Sequence, residues 1–180
     1  MKKSVFFILT LFVVCSANAQ FKNVVKTNPI GLAFGNFNAR YEMVVNDASS
    51  LQFGASYMYK YLGIKVNTVG LEGGFRYYIT NRMKSAPNGF YINPKIGASF
   101  GKVSIGDEIY SETSSDLIYN AFIFGGELGY QWVWGSGFTL DLGAGPMFSR
   151  FGGEYENINF SSKGQFIILP SVTIAIGMGF

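Results

Sequence analysis

The sequence contains no histidine and only one cysteine, Cys15. Without histidine, the chain cannot build a Ser-His-Asp triad or a histidine-based metal site. Its glycine-rich stretches at residues 125–126 and 143–145 lack the Lys-Ser/Thr pair of a phosphate-binding loop. The sequence therefore predicts a protein that is not an enzyme and has no catalytic residues, no metal site and no cofactor.

Charged residues are also scarce, at 14% of the chain, and the mean hydropathy of +0.21 is high for a soluble domain. Yet no run of 18 apolar residues follows the N-terminal segment, so the pattern excludes a membrane-spanning helix. No basic cluster points to nucleic acid. What the chain does have is 17% aromatic residues and 23 glycines, a combination that favours many strands joined by tight turns.

The first 19 residues predict a cleaved signal peptide. Lys2 and Lys3 precede an apolar stretch over residues 5–14, which is too short to span a membrane. Ala17-Asn18-Ala19 has the small-x-small pattern of a cleavage site, so we expect the mature chain to begin at Gln20. Residues 20–180 are then long enough for one domain.

Cys15 raises an alternative, a lipoprotein signal. It is disfavoured because Val14 stands where a small residue would be expected. Cleavage after Ala19 would remove the cysteine and leave a mature chain without disulfide or thiol chemistry.

The last fifteen residues predict a membrane strand. Large apolar side chains share one parity from Phe166 to Phe180, and mostly small residues occupy the other. A tilted strand needs about 9–11 residues to cross the hydrocarbon core. Seven further segments alternate in a similar way. The eight predicted strands cover residues 24–34, 37–45, 51–60, 66–79, 89–101, 117–133, 137–149 and 165–180.

The two faces of these strands have opposite character. One face carries more than twenty large apolar side chains, too many to fit inside an eight-stranded barrel. The other carries glycines, serines and seven charged residues. We therefore expect the apolar face to meet lipid, which disfavours a lipocalin-like soluble barrel. The predicted lumen charge network consists of Arg40, Glu42, Glu72, Arg76, Lys95, Glu127 and Asp141.

These four acids and three bases should pair, because an unpaired buried charge is costly. The favoured interpretation is a structural plug that satisfies polar groups in a narrow barrel. The alternative is a gate that opens a path for small solutes.

The connections give further expectations. Gly35-Asn36 predicts a two-residue hairpin. Pro94, Pro146 and Pro170 fall inside predicted strands and are expected at bulges. The polar segments 102–116 and 150–164 are predicted to lie outside the cell, and residues 80–88 make a long connection on the periplasmic side. The acidic residues of the first outer segment do not have EF-hand spacing, so we expect a solvated loop.

The pattern resembles the small outer-membrane barrels exemplified by the OmpA transmembrane domain and OmpX. The segments NGFYINPKIGASFG and GGELGYQWVWGSGFTLDLGAGP resemble those of short Bacteroidota barrels without an assigned function. The resemblance implies an all-β, eight-stranded antiparallel up-and-down transmembrane β-barrel in the outer membrane. It also implies that terminal Phe180 is an assembly signal read by the barrel-assembly machinery.

From this we expect a monomer in outer-membrane lipid, with a structural or surface-interaction role. A narrow passive pore and a soluble secreted lipid-binding barrel stand as alternatives.

Overall fold

The computed structural model describes residues 21–61, 64–105, 115–155, 158–161 and 166–180. In this part of the chain the backbone forms a single antiparallel β-sheet and one short helix. The strands are β1 (Asn23–Thr27), β2 (Asn36–Asn46), β3 (Ser49–Tyr61), β4 (Ile64–Tyr78), β5 (Gly89–Ile105), β6 (Ser115–Val133), β7 (Phe138–Tyr155), β8 (Ile158–Ser161) and β9 (Ile167–Gly179), and the helix is α1 (Pro29–Ala33).

Eight strands close the sheet into a barrel. Strands β1 to β7 pair in chain order, β7 pairs with β9, and β9 returns to β1. The short β8 pairs only with residues 152–155 of β7, so it extends one hairpin without joining the closed wall. The predicted eight-stranded antiparallel up-and-down barrel is therefore confirmed.

The two ends of the barrel differ. Strand β1 begins and strand β9 ends at the same end of the barrel, which we call the terminal end. This end also carries the connections 47–48, 79–88 and 134–137. The opposite, loop end carries α1 and the connections that follow β3, β5 and β7. Strands β5, β6 and β7 have 17, 19 and 18 residues, well beyond the roughly 9–11 that cross a hydrocarbon core. They continue into the segments 102–116 and 150–164 that the sequence predicted as loops.

The first predicted strand is wrong beyond residue 27. Instead of a strand over 24–34 and a two-residue hairpin at Gly35-Asn36, β1 ends at Thr27 and α1 follows. Asn28 caps this helix, because its side chain accepts a hydrogen bond from the Gly31 amide, and Pro29 fills the first turn. Gly35 then takes a positive φ of 81° to start β2.

The prolines do not produce the expected bulges. Pro146 and Pro170 lie opposite each other in the β7–β9 ladder, and the register is the same on both sides of them. Pairing of β5 with β4 lapses around Pro94 and resumes unshifted, since a missing amide interrupts a ladder without adding a residue. The register shifts instead within β2, between Val44 and Asn46, and within β3, between Met58 and Lys60.

The outer wall is apolar along its whole circumference. Leu71, Leu128, Ile168 and Val172 are more than 60% exposed. Aromatic rings cluster at the terminal end in the pairs Phe90–Tyr130, Tyr130–Trp132 and Trp134–Phe138. Among the described residues, no helix is long and apolar enough to cross a membrane.

Candidate functional site: the barrel interior

Strand alternation directs polar side chains into the barrel. Lysine, arginine, glutamate, aspartate and glutamine side chains are buried on the inner face, whereas the apolar side chains of the same strands are exposed. The interior groups form two sets at different heights. We call them the terminal-end cluster and the mid-barrel chain.

Arg76 of β4 is central to the terminal-end cluster and is fully buried. Its Nη2 atom lies 2.7 Å from Oδ2 of Asp141, and its Nη1 atom donates to Oε1 of Gln131 at 2.8 Å. The guanidinium carbon lies 4.0 Å from the ring centroid of Tyr91, a cation–π geometry. Glu42 is a more distant partner, at 3.4 Å from Nη1. The arginine therefore links strands β2, β5, β6 and β7.

Lys26 of β1 is the second cation of this cluster. Its Nζ atom lies 2.6 Å from Oε2 of Glu42, 2.8 Å from Oδ2 of Asp141 and 2.7 Å from Oε1 of Gln131. An ammonium has three protons to donate, and these three acceptors use all of them. The side chains of Lys26, Arg76 and both acids have no exposed surface.

Neutral hydroxyls satisfy the remaining oxygens of the two acids. Ser50 and Tyr78 each donate to Oε1 of Glu42 at 2.5 Å, and Tyr91 donates to Oδ1 of Asp141 at 2.7 Å. Two bases and two acids thus balance in charge within a hydrogen-bonded set, the condition under which buried charges are tolerated.

The connection 79–88 packs over this cluster. Its Ala86 is buried against Tyr78 and Tyr91, and the Ala86 amide donates to the carbonyl of Asp47 at 2.8 Å. Gln131 donates from Nε2 to the carbonyl of Pro87 at 2.8 Å. The long connection on the terminal end therefore covers the barrel opening and is tied to the polar cluster beneath it.

The mid-barrel chain crosses the lumen toward the loop end. Lys95 lies 2.6 Å from Oε1 of Glu127, which also accepts a hydrogen bond from Thr173 at 3.0 Å. Arg40 donates from Nη1 to Thr173 at 3.3 Å and from Nε to Oε1 of Glu72 at 2.6 Å. The Arg40 and Glu72 side chains keep 17% and 24% of their surface accessible, so this pair borders space that admits water.

All seven charged residues of the predicted lumen set have their side chains inside the barrel. Arg76, Glu42 and Asp141 meet in the terminal-end cluster. Lys95 with Glu127 and Arg40 with Glu72 form two pairs of the mid-barrel chain. Phe180 is exposed at the terminal end, where its backbone pairs with Asn23. Cys15, Ala19 and Gln20 lie outside the described residues, as do residues 106–114 of the acidic segment.

Sequence reasoning missed Lys26, because a strand continuing to residue 34 put even-numbered residues on the lipid side. The Asn28-Pro29 pair, a helix-start signal, could have corrected that parity. The sequence analysis also left out Gln131, Tyr78 and Tyr91. These residues lie on the inner face of their strands but carry no charge at neutral pH.

The described interior contains no grouping of three or more His, Cys, Asp or Glu residues that could hold a metal ion. What the arrangement does is neutralise and immobilise charge. Its carboxylates are occupied by ammonium, guanidinium and hydroxyl donors.

The fold and interior define a closed eight-stranded β-barrel with an apolar wall and an ion-paired core. The chain belongs to the DUF3575 family of proteins of unknown function, whose pattern matches residues 5–167. Among solved structures it is similar to the Yersinia pestis outer membrane protein Ail, determined as a backbone structure in a phospholipid bilayer nanodisc. The identity is 11%, the match covers 89% of this chain and 100% of Ail, and the TM-score is 0.40. No curated protein matches the chain.

Proposed function

We propose that the protein is an integral outer-membrane β-barrel with a blocked polar interior and a structural or surface-interaction role, and that it is not an enzyme. The observation that carries this proposal is the inverted polarity of the barrel. Leu128, Ile168 and Val172 are highly exposed, whereas Glu42 and Asp141 have no exposed surface. Soluble monomers rarely expose continuous apolar surface beyond a few hundred Å². Lipid is the solvent that suits such a wall.

The same polarity argues against a soluble lipid-binding barrel. Such a protein needs an apolar cavity for its ligand, but the interior of this one is filled by Arg76, Lys26, Gln131 and their partners. A closed wall of eight strands, in which β1 begins and β9 ends at the same end of the barrel, also agrees with bacterial membrane barrels, which have even strand numbers and keep both ends in the periplasm. We accordingly propose outer-membrane lipid and the barrel-assembly machinery as partners, and a monomeric state.

A surface role is supported by the length of three strands. Strands β5, β6 and β7 extend at the loop end past the residues needed to cross a membrane. In the proposed orientation the loop end faces outward, so these strands would raise a rim above the lipid. The terminal end, covered by residues 79–88, would face the periplasm.

Location is tested by fractionation and N-terminal sequencing. We expect the mature protein to begin at Gln20 and to be recovered with outer membranes after a carbonate wash. Recovery in the soluble periplasm, or a chain beginning with acylated Cys15, would contradict the proposal.

The blocked interior is tested by conductance in planar lipid bilayers. A narrow passive pore is the second candidate, and the water-accessible Arg40–Glu72 pair favours it because the lumen is open to water at least to that height. The terminal-end cluster lies below this pair, with no exposed side-chain surface. We expect negligible conductance from the wild type. Stable current steps of the size of a water-filled porin would favour the pore.

A further inference from the structure

A cavity of about 230 Å³ lies inside the barrel, on the loop-end side of the Arg40–Glu72 pair. We call it the loop-end cavity. Strands β2, β3, β4, β5 and β6 contribute to its wall, as does Asn28, which precedes α1. The polar side chains that matter to the argument are Asn28, Asn36, Asn38, Arg40, Ser56 and Glu72.

Two inward-facing glycines shape this space. A Cβ atom on Gly54 would lie 2.6 Å from Cγ of Glu72, so the glutamate lies directly on the β3 backbone. A Cβ atom on Gly70 would lie 2.6 Å from Oγ of Ser56. Side chains at these two positions would displace polar groups of the wall, so the absence of Cβ atoms keeps the cavity as it is.

The wall is partly polar and partly apolar, and it has no net charge. Arg40 and Glu72 are in contact at 2.6 Å and neutralise each other. The rest of the lining consists of asparagine amides, serine hydroxyls, glycines and the apolar residues Ala55, Leu71, Ala98 and Ile123. A charged ligand would lose its hydration here without gaining an unpaired counter-charge. The cavity therefore selects against ions of either sign.

One wall group lacks a partner. The Oδ1 atom of Asn36 is buried and accepts no hydrogen bond from any described residue. Its neighbours are engaged. Oδ1 of Asn38 accepts from the Asn28 amide at 2.8 Å, and Oδ1 of Asn28 accepts from the Gly31 amide at 3.0 Å. A buried acceptor without a donor is unfavourable, so a small rotation of the Asn36 amide that brings Oδ1 to a donor on an occupant of the cavity would be favourable.

We propose that the loop-end cavity binds a small uncharged molecule rich in hydroxyl groups, such as a polyol or a monosaccharide. Hydroxyls donate and accept, so they match the Asn36 oxygen, the Glu72 carboxylate and the Arg40 guanidinium together. The volume corresponds to about eight water molecules at ~30 Å³ each, and it is below the ~300 Å³ of the smallest pockets for drug-sized ligands. The size thus limits the ligand to about one sugar ring.

The experiment is an NMR titration of the refolded full-length mature protein in lipid nanodiscs. The probes are glycerol and D-glucose, with D-glucuronate and D-glucosamine as anionic and cationic analogues of the same ring size. We expect saturable shifts at the amides of Asn36, Asn38 and Gly70 with a neutral probe. Each charged analogue should bind at least about tenfold more weakly. Shifts that do not saturate, or that are equal for neutral and charged sugars, would show that the cavity holds only water.

Two variants locate the binding. Ser56→Leu should fill the cavity and abolish binding, and Asn36→Leu should weaken it about tenfold by removing the unpaired acceptor. Ile168→Ala, on the lipid side of the same end, should bind like the wild type. Folding of each variant is checked by its NMR spectrum, and Asn36→Leu decides if Ser56→Leu fails to fold. Unchanged binding in Asn36→Leu would overturn the proposed site.

Discussion

The Nζ atom of Lys26 lies 2.8 Å from Oδ2 of Asp141, although β9 separates the strands that carry these two residues. Lys26 is the β-ladder partner of Gly177 in β9, and a Cβ atom on Gly177 would lie 2.6 Å from Cγ of the lysine. The lysine therefore passes over a glycine to reach the acid. This ion pair braces the seam where the last strand meets the first.

Replacing Lys26 by methionine should destabilise the barrel. The change leaves Glu42 and Asp141 buried with less positive charge, and breaking a buried pair costs of order 3–5 kcal/mol. The measurement is urea unfolding in lipid vesicles followed by tryptophan fluorescence. Lys22→Met, at an exposed position four residues earlier, is the matched control and should change stability by less than about 0.5 kcal/mol. Equal effects of the two changes would contradict the role given to Lys26.

Replacing Gly177 by valine should also destabilise the barrel, because the new side chain would collide with the backbone oxygen of Val25 and occupy the path of the lysine. The expected loss is about 1–3 kcal/mol, as for other overpacked sites. Gly73→Val is a sharp control, since a Cβ atom there would meet no atom within 4 Å. It should leave the urea midpoint nearly unchanged. A Gly73→Val loss as large as that of Gly177→Val would point to a general effect of strand glycines instead.

Alternation in the sequence predicted much of this arrangement, because a period of two assigns every strand residue to a face once one residue is placed. Arg76, Glu42 and Asp141 were found in this way. The reasoning failed where the period changes. Helix α1 interrupts the count after Thr27, so alternation continued through residues 28–34 left Lys26 out of the predicted lumen set.

Individual contacts could not be predicted at all. Which acid faces which base depends on the tilt of the strands and the stagger between them, which the alternation of one chain does not reveal. Alternation also could not predict that Ala86 and Pro87 cover the terminal end, because these residues lie in a connection and not in a strand.

Removing the side chain of Arg76 should destabilise the barrel more than removing that of Glu72. Arg76→Ala strips a fully buried cluster of its guanidinium and should cost of order 3–5 kcal/mol. Glu72→Ala breaks a pair that water reaches, so we expect about 1 kcal/mol or less. Urea unfolding in vesicles measures both. Equal losses, or none for Arg76→Ala, would show that burial does not determine the strength of these interactions.

The same variants bear on the blocked interior. Arg76→Ala opens space in the terminal-end cluster and should raise conductance above the wild type in planar bilayers. Leu71→Ala changes only the outer face and should not. A leak in both would indicate general loosening of the barrel.

A charge on the outer wall should distinguish lipid from water as the solvent. Leu128 is 64% exposed on β6, and Leu128→Arg should cost up to about 2–4 kcal/mol in a bilayer. Met83→Arg, at an 86% exposed position in the connection 79–88, should cost little. The free energy of unfolding is measured for both in vesicles. An unchanged free energy of unfolding in Leu128→Arg would contradict a lipid-facing wall.

The terminal aromatic ring should matter more for assembly than for stability. Phe180 is 54% exposed, and its backbone exchanges two hydrogen bonds with Asn23, at 2.9 and 3.1 Å. Phe180→Ala keeps this backbone pairing and removes only the ring. We therefore expect its free energy of unfolding in urea after refolding to stay within about 0.5 kcal/mol of the wild type, since little buried surface is lost.

In cells at native expression, the amount of Phe180→Ala inserted in the outer membrane should fall several-fold, and deletion of residue 180 should reduce it at least as much. Phe138→Ala is the matched control, because Phe138 is an exposed phenylalanine on the adjoining strand, opposite Met178. It should insert like the wild type if the assembly machinery reads the last residue specifically. Normal insertion of Phe180→Ala, or an equal defect in Phe138→Ala, would show that the ring acts only as part of the aromatic rim.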